Sequence, residues 1–166
     1  AVINQNIKSG EFAKIYLLYG KERYLVNQYR DKLLSKLTDK EDTLNFMKFA
    51  GNGVNTQEII DFCNELPFFA DRRVVLVENS GLFKNKNEDF AKKLVNIEDT
   101  SLVIFVEMDV DARGKLFKEV DKNGEALDFV TPDEKMMVTW VKSLFRDAEI
   151  ATTDTAIYKI IECAKM

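Results

Sequence analysis

Histidine is absent from this chain of 166 residues. Without it there is no Ser-His or Cys-His catalytic pair, and no zinc site that depends on imidazole. Cysteine occurs twice, at Cys63 and Cys163, too far apart for a CxxC motif. A disulfide framework is therefore not expected. The pair fits a reducing cytosol, with both thiols buried as small apolar groups. Only 2 Pro and 7 Gly exclude collagen-like and low-complexity classes. No apolar run approaches the roughly 20 residues of a membrane span. Residues 1–10 are polar and lack the charged-then-apolar order of a signal peptide. The missing initiator Met points to a processed or excised start. An excess of positive charge is also lacking: 24 Lys+Arg against 28 Asp+Glu gives −4. No chain-wide basic field is available to hold nucleic acid unaided.

What is present is an ordinary globular balance, 46% hydrophobic and 31% charged, in a chain long enough to bury a core. The apolar pattern alternates between two periods. Short apolar runs predict five strands near residues 15–19, 44–49, 73–78, 102–106 and 126–130. The second of these is the weakest. Between them, helical spacing recurs. It runs from Tyr24 to Leu37, through Ile59, Ile60, Phe62, Cys63 and Leu66 up to Pro67, through Phe90 to Val95, and through Leu116 to Val120. No tight hairpin joins two strands; Asn123-Gly124 follows a helix, where Gly serves as a stop. This order predicts an α/β domain with a mostly parallel five-stranded sheet and helices on both faces. The pattern changes at Thr131. Thr131-Pro132-Asp133-Glu134 has the form of a helix start. One helical face follows at Met137, Val138, Val141, Leu144 and Phe145. A cap region at residues 151–155 precedes another face at Ile157, Ile160, Ile161 and Ala164. That second face meets no stop signal, so the expectation is a fragment that ends within a helical unit.

Several groups could carry chemistry. Gly20 after the first strand is where a P-loop would begin. The pattern GxxxxGK[ST] supplies glycine amides that wrap phosphates and a Ser/Thr that holds magnesium. Gly20-Lys21-Glu22-Arg23-Tyr24-Leu25 has neither the second Gly nor the Lys-Ser/Thr pair. A nucleotide-binding architecture without nucleotide chemistry is expected. Glu78, Glu107, Asp109 and Asp111 follow the third and fourth strands, where magnesium-binding acids can sit. Without a phosphate loop they read better as solvated loop acids, with Asp111 available to cap the next helix. Lys84, Lys86, Lys92 and Lys93, with Arg72 and Arg73, form basic stretches that read as a solvated face, lacking the interleaved aromatics that stack on bases. Two alternative functions remain from residues alone: an ATP- and magnesium-dependent α/β enzyme, or a DNA-binding module.

Leu66-Pro67-Phe68-Phe69-Ala70-Asp71-Arg72-Arg73 stands apart. Adjacent Phe side chains on a regular element cannot both face one core. After Pro67 at least one ring is expected to be exposed, as an anchor for a partner's pocket. Rings folded back on the core are the equal alternative. Leu66 continues the spacing of Ile59 and Cys63 and is expected to face the core.

Taken together, these segments resemble one family. Residues 16–25, YLLYGKERYL, are similar to the opening YLLYGxExYL of the delta subunit of bacterial DNA polymerase III. Residues 67–75 are similar to its PFFxxRRLV segment, and DARGKLFK from Asp111 to Lys118 is similar to its DxRxKLxK segment. Thr131-Pro132 followed by Trp140-Val141 resembles its transition into a second domain. The resemblance implies a clamp-loader subunit in the bacterial cytoplasm. It would bind the sliding clamp, the beta subunit, and open its ring for loading onto DNA. It implies an AAA+-type (P-loop NTPase-like) fold over residues 1–131, with the first strand central and no working ATP site. Residues 132–166 would then begin a small helical lid-type domain, and a collar domain would lie outside this sequence. The implied clamp-binding element is Phe68 and Phe69, flanked by Leu66 and Pro67. Partners implied are the clamp, the gamma/tau and delta prime subunits, and DNA through the assembled complex, with no membrane. No catalytic residue, cofactor or metal ligand is implied for this chain. The family can still carry the activity label of the DNA-directed DNA polymerase holoenzyme.

Overall fold

A computed structural model describes residues 2–39, 42–130 and 134–164. The chain divides into two compact units, residues 1–129 and 130–166. In the first, the elements run α1 (Val2–Ser9), β1 (Ile15–Tyr19), α2 (Arg23–Leu37), β2 (Phe46–Ala50), α3 (Thr56–Cys63) and β3 (Arg73–Glu78). A short 3-10 turn (Leu82–Lys84) follows, then α4 (Glu88–Leu94), β4 (Ser101–Glu107), α5 (Lys115–Asn123) and β5 (Glu125–Asp128).

The five strands form one parallel sheet in the order β2-β3-β4-β1-β5. The middle position belongs to β4, not to β1 as expected; β1 lies between β4 and β5. Period-two alternation divides the three inner strands cleanly. Ile15, Leu17, Val75, Val77, Val103 and Phe105 meet Ile59, Cys63, Phe90, Leu94, Leu116 and Val120 from α3, α4 and α5. Their neighbours Tyr16, Leu18, Val74, Leu76, Leu102 and Ile104 meet Ile3, Val26, Leu33 and Leu37 from α1 and α2. Both faces are covered, so these strands read as unbroken apolar runs. The outer strands β2 and β5 are only partly buried. That explains the weaker sequence signal at 44–49: β2 begins at Phe46, while Leu44 stays exposed ahead of it.

Two elements departed from expectation for local reasons. The polar N-terminus forms α1, anchored by a fully buried Ile3 with Ile7 packed behind it. Helix α3 ends at Cys63, with Asn64 as its C-cap, well before Pro67. The apolar spacing therefore stops before Leu66.

In the second unit α6 (Glu134–Asp147) and α7 (Asp154–Ala164) pack through Val141, Ile157 and Ile161, with Met137, Val138 and Phe145 alongside. The expected start at Thr131, Pro132 and Asp133 lies outside the described residues. Helix α6 closes at Glu149, which holds a left-handed φ of 56°. There the Ile150 N–H donates to the Phe145 carbonyl at 2.8 Å and the Glu149 N–H to the Arg146 carbonyl at 3.0 Å. Leu144 and Ile160 are exposed rather than part of the packed faces. A pair of helices has one seam, and these two side chains fall beside it. Cys163 is exposed for the same reason, against the expected burial, while Cys63 is buried and burial pushes its thiol up to about 12.

Candidate functional site

At the C-terminal edge of the sheet, the turn from β1 to α2 is too short to wrap a phosphate. Only residues 20–22 separate the two elements. Gly20 holds φ 121°, and a Cβ there would lie 2.5 Å from the Phe129 carbonyl oxygen. Its glycine serves a close backbone approach. The Glu22 N–H donates to that same carbonyl at 3.2 Å, and the Arg23 N–H to Lys21 at 2.9 Å. These amides point at the protein's own carbonyls.

The strand-end acids do not converge. Among the described residues no three acidic or thiol groups lie together as a metal site. Glu78 and Glu107 are buried, which corrects their expected place as solvated acids. The Glu107 carboxylate accepts from the Ser80 N–H at 2.9 Å, the Ser80 hydroxyl and the Gly81 N–H at 3.3 Å. Glu78 pairs with Arg30 and Lys48, each at 2.6 Å. Asp111 does not cap α5, whose N-cap is Gly114; instead it accepts from the Arg113 backbone and guanidinium. Asp109 is an exposed partner of Lys84 at 3.4 Å.

Burial pushes the Glu78 carboxyl upward, but Lys48 and Arg30 outweigh it and hold the group below its ordinary value. A lowered native pKa stabilises the fold above the unfolded value, near 4.3. That contribution is lost as pH falls through the native value. Glu78→Gln is expected to cost about 1–2 kcal/mol at pH 7, a cost limited by the partial exposure of both cations. In urea melts the gap from the parent should narrow at pH 3; a constant gap at both pH values would show that the ion pairs contribute nothing.

The exposed aromatic step lies at the opposite, N-terminal edge of the sheet. Helix α3 is started by Asn55, whose side chain accepts from the Gln57 and Glu58 N–H groups. It is closed near its end by the Ser101 hydroxyl, which donates to the Cys63 carbonyl at 2.7 Å. Residues 64–72 then connect α3 to β3. Phe68 is 56% exposed and Phe69 96% exposed. Their rings meet edge to face, centroids 4.6 Å apart. Phe69 holds φ 50°, a costly conformation for a bulky residue. Leu66 is 73% exposed, correcting the expectation that it faces the core. With α3 already ended, Leu66 belongs to the same exposed apolar step.

Two buried polar side chains hold this connection. Arg73, read from sequence as part of a basic stretch, is the buried first residue of β3. Its guanidinium donates to the Leu66 carbonyl at 3.1 Å, pairs with Glu65 at 2.9 Å and lies 4.4 Å from the Phe62 ring centre. Arg72 sits over the Phe12 ring. The lysines 84, 86, 92 and 93 are exposed as expected. The second support is Asn45, 4% exposed, immediately before β2. Its Oδ1 accepts from the Phe68 N–H at 2.6 Å, and its Nδ2 donates to the Phe68 carbonyl at 2.9 Å. Nδ2 also donates to Asp42, which in turn accepts from the Leu44 and Asn45 N–H groups. The Asn45 backbone and side-chain donors hold the Asp42 carboxyl below its ordinary value. Sequence reasoning missed Asn45 and Asp42. Their spacing marks a local turn, but nothing in it points to a loop 23 residues away.

No described helix is long and apolar enough to cross a membrane. Among curated proteins no match is found. Of the solved structures, the Bacillus subtilis DNA clamp loader delta protein is similar, with a TM-score of 0.82 and 20% identity over 96% of this chain and 51% of its own. A DNA polymerase III gamma subunit-related protein from Thermotoga maritima is similar at a TM-score of 0.56 and 12% identity, over 95% of this chain and 57% of its own. The chain thus spans little more than half the length of either. At these identities the likeness shows the fold. The sequence model of the family described as DNA polymerase III, delta subunit, matches residues 16–130. That match covers most of the chain, which therefore belongs to the DNA polymerase III delta subunit family.

Proposed function

We propose that this chain is the clamp-binding portion of a clamp-loader delta subunit. Phe68 and Phe69 enter an apolar pocket on the sliding clamp, the beta subunit, with Leu66 and Pro67 flanking them. Binding favours a clamp in which one ring interface is sprung, because differential affinity is what shifts a population. The opened ring is then loaded onto DNA. The observation that carries this reading is the Phe69 ring, 96% exposed yet next in the chain to Phe68, whose backbone the buried Asn45 side chain holds in place. An isolated exposed ring would mean little; one fixed against solvent at a conformational cost has the features of an anchor. Residues 1–131 would form the AAA+-like domain with this element, and residues 132–166 the beginning of a lid-type helical domain. ATP would be bound and hydrolysed by gamma/tau partner subunits, with delta prime completing the assembly in the bacterial cytoplasm.

One calorimeter tests both halves of the proposal. Titration with purified sliding clamp should give a saturable complex. Titration with ATP and magnesium should give no site of micromolar affinity, since the β1–α2 turn is short and its Glu22 and Arg23 amides donate to the protein's own carbonyls. A tight magnesium-dependent ATP site would favour the enzyme reading instead. A clamp that produces no heat and no co-elution would remove the proposed partner.

A further inference from the structure

The connection at residues 64–72 has no regular structure of its own, and such segments ordinarily sample many conformations. Here its backbone is gripped in the middle by a side chain from another element. The β2–β3 register sets Phe46 opposite Val74, and the Val74 N–H donates to the Asn45 carbonyl at 2.8 Å. Pairing of the two strands therefore delivers the Asn45 side chain to the connection. A carboxamide is suited to that place because it offers an acceptor and a donor side by side. Oδ1 takes the Phe68 N–H, and one Nδ2 hydrogen goes to the Phe68 carbonyl. The other Nδ2 hydrogen goes to the Asp42 carboxylate, 3.0 Å away. Asp42 accepts only, so it fixes which way the amide faces. A flipped amide would set oxygen against carboxylate and N–H against N–H.

We propose that Asn45, oriented by Asp42, is a positioning residue for clamp recognition: it holds the Phe68 backbone so that the Phe68–Phe69 step is presented in one conformation before the clamp arrives. The inference rests on the clamp-binding reading above and extends it from the rings to the side chains that hold their connection. Preorganisation acts through the fraction of molecules already competent to bind. Its loss slows association and leaves the finished contact intact. A lost contact does the reverse and speeds dissociation.

The test measures association and dissociation rates of the chain with immobilised sliding clamp. Asn45→Ala is expected to slow association about tenfold, with dissociation unchanged within about twofold. Amide hydrogen exchange at Phe68 should accelerate, since its N–H loses its acceptor. Asp42→Ala, which leaves the Asn45 bracket in place but unoriented, should slow association about threefold; it also serves if Asn45→Ala does not fold. Phe69→Ala should instead speed dissociation. If Phe69→Ala weakens binding while Asn45→Ala and Asp42→Ala associate at the parent rate, the positioning role is wrong and the clamp site stands. If Phe69→Ala binds as the parent does, the clamp site itself is wrong, and the positioning role falls with it. Unchanged Phe68 exchange in Asn45→Ala would also overturn the proposal, because that N–H would then not depend on Asn45 for its protection.

Discussion

Replacing Phe68 and Phe69 together with Ala is expected to lower affinity for the sliding clamp at least about 100-fold, and to leave folding nearly unchanged. Truncating an aromatic anchor costs about 2–4 kcal/mol of binding, and two neighbours that fill one pocket do not add fully. The stability forecast follows from exposure. Phe69 contacts almost nothing but Phe68, and Phe68 is itself half open. What the fold loses is one edge-to-face ring contact, worth about 0.5–1.5 kcal/mol, and the partial burial of the Phe68 ring. The backbone bonds from Asn45 to Phe68 survive the change, since they use main-chain atoms. Urea melts and clamp titrations on the same double variant separate the two readings held open by the sequence. Rings packed on the core would have made this variant lose several kcal/mol of stability. Because Leu66 is exposed, Leu66→Ala belongs with the binding variants too. A double variant that binds the clamp as tightly as the parent would remove these rings as anchors.

The sequence showed most where burial is complete. Strands β1 and β3 have the expected bounds, and β4 differs by one residue at each end, because sheet strands covered on both faces leave unbroken apolar runs. The edge strand β2 was less legible: three of its five residues are exposed, so its apolar pattern is diluted. Helix α1 was missed because a single buried residue, Ile3, does most of its anchoring. At the site, the two Phe residues were legible as an anomaly, since adjacent rings conflict with any regular element. Their supports were not. Arg73 reads as a surface cation beside Arg72, and only the structure shows it buried under the Leu66 carbonyl and against Phe62. Asn45 acts across 23 residues through a parallel strand pair, a kind of proximity that no local spacing encodes. Glu78 and Glu107 departed from the solvated reading for a related reason, while Asp109 is exposed as expected. Being polar, all three read as solvated, but the C-terminal edge of the sheet has buried donors that need acceptors.

Glu107 carries the second large effect, and it bears on what that edge of the sheet is for. Its carboxylate is 2% exposed at the end of β4. It closes the turn after β3 by accepting from the Ser80 N–H, the Ser80 hydroxyl and the Gly81 N–H. The Ser80 oxygen in turn accepts from the Leu82 N–H at 3.3 Å, at the start of the 3-10 turn. Removing the acceptor leaves buried donors unpaired, each worth about 1–3 kcal/mol. Some of that is regained as the turn relaxes, so Glu107→Ala is expected to cost about 3 kcal/mol in urea unfolding. Glu107→Gln keeps one acceptor oxygen for Ser80 but turns an N–H toward Gly81, and should cost about half as much. The exposed Asp109 serves as a control, with Asp109→Ala within about 0.5 kcal/mol of the parent. The opposite forecast belongs to an acid kept for a divalent cation. Carboxylates gathered for a metal repel one another until it binds, so removing one stabilises the metal-free protein. Melts of the parent and Glu107→Ala with and without millimolar magnesium distinguish the two. A loss of the same size in both conditions marks Glu107 as a structural acceptor; a more stable variant, or a loss that appears only with magnesium, would return the strand-end acids to the list of candidate ligands.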